Sequence, residues 1–132
     1  MLKKVYKIIW RRRYVKRKAG KDAQYLQYKL NALRLVKERI THFNAFYKFN
    51  INKISIKNQK TRWGSCSKKG NLNFNYKIVL LPEAMRDYVI AHELCHLDQF
   101  NHSPAFWKLV TKTIPNYKTV KRQFKKIHLN FF

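Results

Sequence analysis

With 132 residues the chain has enough length for one core and too little for two. Hydrophobic residues at 45% and aromatic residues at 15% exclude a disordered tail, and a net charge of +24 calls for anionic partners. Nucleic acid comes first among these and an acidic membrane surface second, against the plain alternative of a solvated basic surface. Only Cys66 and Cys95 are present, which excludes a disulfide-stapled secreted scaffold. Lys7 interrupts what would be the apolar region of a signal peptide, and no apolar run approaches membrane-spanning length. A soluble cytoplasmic protein is expected.

Residues 1–21 read as a basic arm, with Arg11, Arg12 and Arg13 followed by Lys16, Arg17 and Lys18 as candidate nucleic-acid contacts. Interleaved Tyr6, Ile8, Ile9 and Trp10 leave strand, amphipathic helix and binding-ordered arm all open, and Gly20 is taken as its end. The remaining domain, residues 22–132, starts with a helix capped by Asp22 and running to about Tyr47, with Leu26, Leu30, Leu33, Ile40 and Phe43 at helical spacing.

Between Phe49 and Asn75 the period changes to two. Ile54 and Ile56 alternate with Lys53, Ser55 and Lys57, and Leu72 and Phe74 alternate with Asn71, Asn73 and Asn75 across a turn at Lys68-Lys69-Gly70. This predicts three short antiparallel strands, the last two joined as a hairpin. If the asparagine-bearing strand is at the sheet edge, an extended peptide can pair with it. In Arg62-Trp63-Gly64-Ser65-Cys66-Ser67, Gly64 permits close approach of another element. Arg62 can hold a carboxylate, a phosphate or a developing oxyanion; the structural alternative is a pair with an acid such as Asp87.

Pro82 and Glu83 open a buried helix that carries His92-Glu93-Leu94-Cys95-His96. Histidines four apart on a helix share one face, so both rings can reach one ion. Glu93 then stands beside the ion without ligating it, placed to take a proton from a bound water. Three protein ligands and one water are the usual hydrolytic zinc arrangement. Asp98 is the last acid of the chain, so the third ligand must be a histidine, His102 or His128. His102 has the more telling surroundings. Asn101 can end a helix in the left-handed conformation, Ser103 is a good N-cap, and Pro104 suits the first position of the next helix. Gln99 stands where the long zinc motif has glycine, so the turn is made differently. Cys95 points about 100° away from His96 and belongs to the core. A helix from Ala105 to about Ile114 follows, with Phe106, Trp107, Val110 and Ile114 inward. Pro115 begins a last, very basic helix.

Taken together, Arg62 to Ser67, Leu72-Asn73, Asp87 to Ile90, the His92 to His96 motif, Asn101-His102-Ser103 and Phe106-Trp107 resemble the YgjP-like metallopeptidase family. SprT-like proteases share a related layout. The resemblance runs from about Leu26 to Tyr117. It implies an α+β, zincin-like fold, a small antiparallel sheet packed on the HExxH helix, with His92, His96 and His102 on one zinc ion and Glu93 as catalytic acid/base. Family members usually carry a strand-rich region before the first helix, which a basic arm replaces here.

The expected activity is zinc-dependent hydrolysis of a peptide or protein, Glu93 activating water toward a carbonyl, with Arg62 or Tyr88 assisting the oxyanion. Two alternatives are carried beside it. One is metal-dependent hydrolysis of a nucleoside triphosphate, an activity attributed to a family member, although the chain has no phosphate-cradling Gly-rich loop. The other is a nucleic-acid-binding protein, with zinc for structure or with protease activity on nucleic-acid-bound proteins.

Overall fold

The structure, a computed structural model, describes the backbone of residues 2–131 and the side chains of residues 23–127. The side chains of Arg11, Arg12, Arg13, Lys16, Arg17 and Lys18 therefore lie outside the described residues, as does that of His128. The elements are α1 (Leu2–Tyr47), β1 (Lys53–Lys57), β2 (Gly64–Cys66), β3 (Asn71–Asn75), a 3-10 turn (Tyr76–Leu80), α2 (Glu83–Cys95), α3 (Pro104–Thr113) and α4 (Tyr117–Phe131). Among the described residues no helix is long and apolar enough to cross a membrane.

The first helix begins further back than Asp22. Glycine inside a helix costs only about 1 kcal/mol, so Gly20 need not stop one flanked by lysine, arginine and alanine. Its buried stripe is Ala32, Val36, Ile40 and Phe43. Leu26 and Leu30, expected inward, are 56% and 67% exposed, because they lie about 80° and 120° round the helix from that stripe. The helix stops at a left-handed residue, Lys48 (φ 58), whose N–H donates to the Asn44 carbonyl. Asn44 also exchanges two hydrogen bonds with the Phe49 backbone, which turns the chain into the sheet.

The sheet corrects the expectation of three antiparallel strands. Its order is β1-β3-β2, with β1 parallel and β2 antiparallel to β3. The asparagine-bearing strand β3 is thus central, with both edges covered, and cannot accept a further strand. Burial decides the order: Leu72 and Phe74 are the most deeply packed strand residues, and the most apolar strand takes the middle. The short β2 is left at an edge. Its hairpin to β3 closes through a Gly70 N–H to Ser67 carbonyl bond, with Gly70 at φ 84 as the turn requires.

One face of this sheet packs with α1 and α2 around Phe74, Leu72, Val36, Ile90 and Leu94. Two polar ties fix the helices that carry the site. Arg39 on α1 donates through Nε and Nη2 to the two oxygens of Asp87 on α2, at 2.8 and 2.9 Å. Asp87 therefore belongs to Arg39 and not to Arg62. At the far end of α1, the Tyr47 hydroxyl donates to the Leu109 carbonyl at 2.6 Å and meets Thr113 Oγ1 at 2.8 Å, anchoring α3.

Candidate metal centre

Three imidazoles meet where α2 turns into α3. His92 lies in the last turn of α2, and His96 caps that helix in a helical conformation (φ −64, ψ −18), so the four-residue spacing keeps both rings on one side. The turn that follows holds no left-handed residue at Asn101; among the described non-glycine residues only Lys48 has a positive φ. It is built instead from backbone bonds, with the Asp98 and Gln99 N–H groups both donating to the Cys95 carbonyl. Gln99 takes the place of glycine and contributes its own carbonyl. Beyond the turn, Ser103 Oγ accepts from the Phe106 N–H and Pro104 opens α3, which brings His102 back over α2.

The nitrogens are close. His92 Nε2 is 3.1 Å from His96 Nε2 and 3.0 Å from His102 Nε2, and the ligating atoms of all three lie within 4.8 Å of one another. Hydrogen bonding among the rings cannot account for this. His96 Nδ1 lies 2.9 Å from the Gln99 carbonyl, which can only accept; Nδ1 therefore carries the proton and Nε2 presents a lone pair. His92 Nε2 can donate one proton to one neighbour, which leaves its other contact at 3.0–3.1 Å without a shared hydrogen. A cation among the three lone pairs satisfies every contact. A tetrahedral zinc–nitrogen site separates its ligand atoms by about 3.3 Å, close to the two distances from His92 Nε2. The residues fit a metal ion.

Their surroundings favour the neutral, ligating form. Burial, then the neighbouring His96 and His102 and Lys121, pushes His92 down to about 3. Burial also lowers His96, against the opposing hydrogen bond to Gln99. Aromatic walls hold the rings: Phe106 stacks on His96 with centroids 4.5 Å apart, Trp107 stacks on His102 at 5.8 Å, and Tyr88 meets His92 edge-on at 5.7 Å. His92 Nδ1 is buried with no hydrogen-bond partner among the described residues, so packing alone orients that ring.

Glu93 faces the next wall. It is 9% exposed and accepts no hydrogen bond among the described residues, and burial raises its carboxyl to about 7 against the opposing pull of Arg62. Strand β2 lies directly against it. A Cβ on Gly64 would sit 2.8 Å from Glu93 Cγ and 3.1 Å from the Asn73 carbonyl oxygen, so only glycine lets the strand and the carboxylate approach this closely. Glu93, His92, Tyr88 and Arg62 line one cleft of about 400 Å³ together with Trp63, Val89 and Phe124 and with Lys121 and Lys125 of α4. Tyr88 is raised to about 12, first by burial and then by Glu93 and Tyr117, and so keeps its hydroxyl proton at neutral pH. Cys95 is buried and free, its thiol raised to about 11, and takes no place among the nitrogens.

Two contributions were hidden from the sequence. Asn75, which alternation puts on one strand face with Asn71 and Asn73, is fully buried, and its side chain donates to the carbonyls of Gln59 and Arg62 at 2.9 and 3.0 Å. It also accepts from the Lys77 N–H, so it fixes the loop that delivers Arg62 to the cleft. The α4 wall is legible only in part: Tyr117, Val120, Phe124 and Ile127 form an apolar stripe at helical spacing with Lys121 and Lys125 beside it, but nothing local shows what that stripe packs against.

Two solved structures are similar over most of their length. The metallopeptidase zymogen of Pyrococcus abyssi abylysin matches at 25% identity and a TM-score of 0.61, over 70% of this chain and 94% of that one. The metallopeptidase zymogen of Methanocaldococcus jannaschii jannalysin matches at 25% identity and a TM-score of 0.59, over 70% and 93%. No curated protein matches. A family model for the YgjP-like metallopeptidase domain matches residues 3–127, nearly the whole chain. With an α+β fold and a histidine cluster able to hold a metal, the protein belongs to the YgjP-like metallopeptidase family.

Proposed function

We propose that the protein is a zinc-dependent peptidase in which His92, His96 and His102 hold the ion and Glu93 moves the protons. The observation that carries this reading is the convergence of three imidazole nitrogens beside a buried carboxylate that accepts no hydrogen bond among the described residues. Zinc bound there would supply Lewis acidity, bringing a water's pKa to about 7 and polarising a carbonyl. Glu93 takes a proton from water in the cleft, and the water oxygen attacks the carbonyl carbon of the peptide. Glu93 then delivers that proton to the departing amine nitrogen as the C–N bond breaks. A carboxyl raised to about 7 suits both directions of transfer near neutral pH. Tyr88, which keeps its proton, and the Arg62 guanidinium are the donors available to the oxygen that gains charge.

Strand β2 is the sheet edge nearest Glu93, and we place the extended substrate along it. The basic arm over residues 1–21 is proposed as an accessory to the domain over 22–132, with its lysines and arginines available to nucleic acid. Metal-loaded protein should cleave members of a mixed peptide panel, and Glu93→Gln should abolish the cleavage. Release of pyrophosphate or phosphate from nucleoside triphosphates, dependent on Glu93 and unaccompanied by peptide cleavage, would transfer the site to the nucleotide reading.

A further inference from the structure

The cleft carries a charge that proton transfer at Glu93 does not use. Its walls are apolar, formed by Trp63, Val89 and Phe124, and its rim is cationic, formed by Arg62, Lys121 and Lys125. The two lysines are four apart on α4 and so project from one face, towards the cleft. Among the described residues no carboxylate forms an ion pair with either lysine: the ion pair found there is Arg39 with Asp87, and the acid that lines the cleft, Glu93, acts on Arg62. Lys121 is held in place, its ammonium 4.3 Å from the Trp107 ring centre, and is not simply extended into water. Three like charges round a mouth with apolar walls repel one another and focus a positive field into it, a cost that an entering anion relieves.

We infer that this rim is a specificity subsite for a carboxylate carried by the peptide substrate. Its apolar stem lies against Trp63, Val89 and Phe124, and its anionic end lies at Lys121 and Lys125. The inference rests on the peptidase reading and extends it from a bond type to a substrate class. The carboxylate has two possible sources, an acidic side chain or the free C-terminus of a peptide ending in an apolar residue.

The test uses one neutral, end-capped peptide and two derivatives of it, one with an internal Gln replaced by Glu and one with a free C-terminal carboxylate. Cleavage by the metal-loaded protein is followed by mass spectrometry, and each acid peptide is expressed as a kcat/KM ratio to the neutral parent, which cancels any general loss of activity. One acid peptide is expected to exceed the parent by about tenfold, and which of them does so names the source. In Lys121→Gln/Lys125→Gln the ratio should fall below about twofold. Lys125 is exposed, so Lys125→Gln alone, which leaves the packing intact, should already lower it.

Equal rates for acid and neutral peptides, or a ratio that survives the double substitution, would overturn the subsite. Failure to cleave any peptide would strike the peptidase reading instead. Calorimetric binding of the same peptides to Glu93→Gln then decides the subsite independently: tighter binding of an acid peptide, lost on neutralising the lysines, upholds it, and equal binding removes it. A short single-stranded oligonucleotide that outcompetes every peptide at about 0.15 M salt, through the same two lysines, would assign the rim to nucleic acid and overturn the carboxylate.

Discussion

The two halves of α2 each turn one acid into the protein, Asp87 and Glu93, and treat it in opposite ways. In the first half, Asp87 receives both arms of the Arg39 guanidinium at 2.8 and 2.9 Å, and the pair ties α2 to α1. Asp87 raises the Arg39 pKa in return. In the second half, Glu93 is buried with no such donor, and its carboxyl is pushed up to about 7. A satisfied acid holds a helix in place; a desolvated, unsatisfied one stores the capacity to move a proton. The helix spends its first turns on being positioned and its last on chemistry.

The sharpest way to break this contrast is to neutralise each acid in turn. Glu93→Gln should lower kcat by about 10²–10⁴-fold while metal content holds and melting temperature does not fall, because the carboxylate makes no structural bond. Asp87→Asn should do the reverse. Losing a charged, two-pronged hydrogen bond should cost about 1.5–3 kcal/mol of stability, read by thermal denaturation, with kcat per folded molecule nearly unchanged. If the two substitutions gave the same profile, the division of α2 into a structural and a chemical half would be wrong.

Between these in catalytic effect stands Gly64→Ala. The added methyl would meet Glu93 Cγ at 2.8 Å, so the carboxylate or β2 must shift, and a displacement approaching 1 Å should cost about 10²-fold in kcat. An unchanged kcat would show that the carboxylate and β2 have room to give.

The smallest effect sharpens the comparison through pH in chelator-treated, metal-free protein. Glu93 has a folded pKa raised from 4.5 to about 7, so the folded state holds the extra proton and stability falls as pH rises across that window. His92 has a folded pKa lowered from 6.5 to about 3, so the unfolded state holds the extra proton and stability rises across its window. The two oppose each other where they overlap. In Glu93→Gln only the rising limb remains, and melting temperature should climb more steeply between pH 4.5 and 6.5 than in the parent. Identical profiles would mean that Glu93 is not desolvated.

What the sequence disclosed follows the range of the interactions. The histidine pair and the Ser103-Pro104 start of α3 depend on residues within one or two turns, and their spacing is visible in the chain. The strand order is different. Alternation shows that Leu72 and Phe74 share a face, but nothing local distinguishes an edge from a centre, and β3 lies in the middle because both neighbours need its apolar residues. The burial of Asn75 is hidden for the same reason: alternation places it on a strand face, but the loop that needs its amide lies elsewhere in the chain. The sequence offers Asp87 as a partner for Arg62, and only the packing of α1 on α2 gives it to Arg39. In α4 the stripe of Val120, Phe124 and Ile127 is visible at helical spacing, but nothing local shows that Lys121 and Lys125 beside it line the cleft.

The measurement that bears most directly on the whole is elemental analysis of the purified protein beside His102→Ala and Glu93→Gln. The account predicts one zinc per chain in the parent, the same in Glu93→Gln, and loss or marked weakening of the metal in His102→Ala. Full metal content without the His102 imidazole would show that the three rings do not share an ion, and the peptidase reading of the cleft would fall with it.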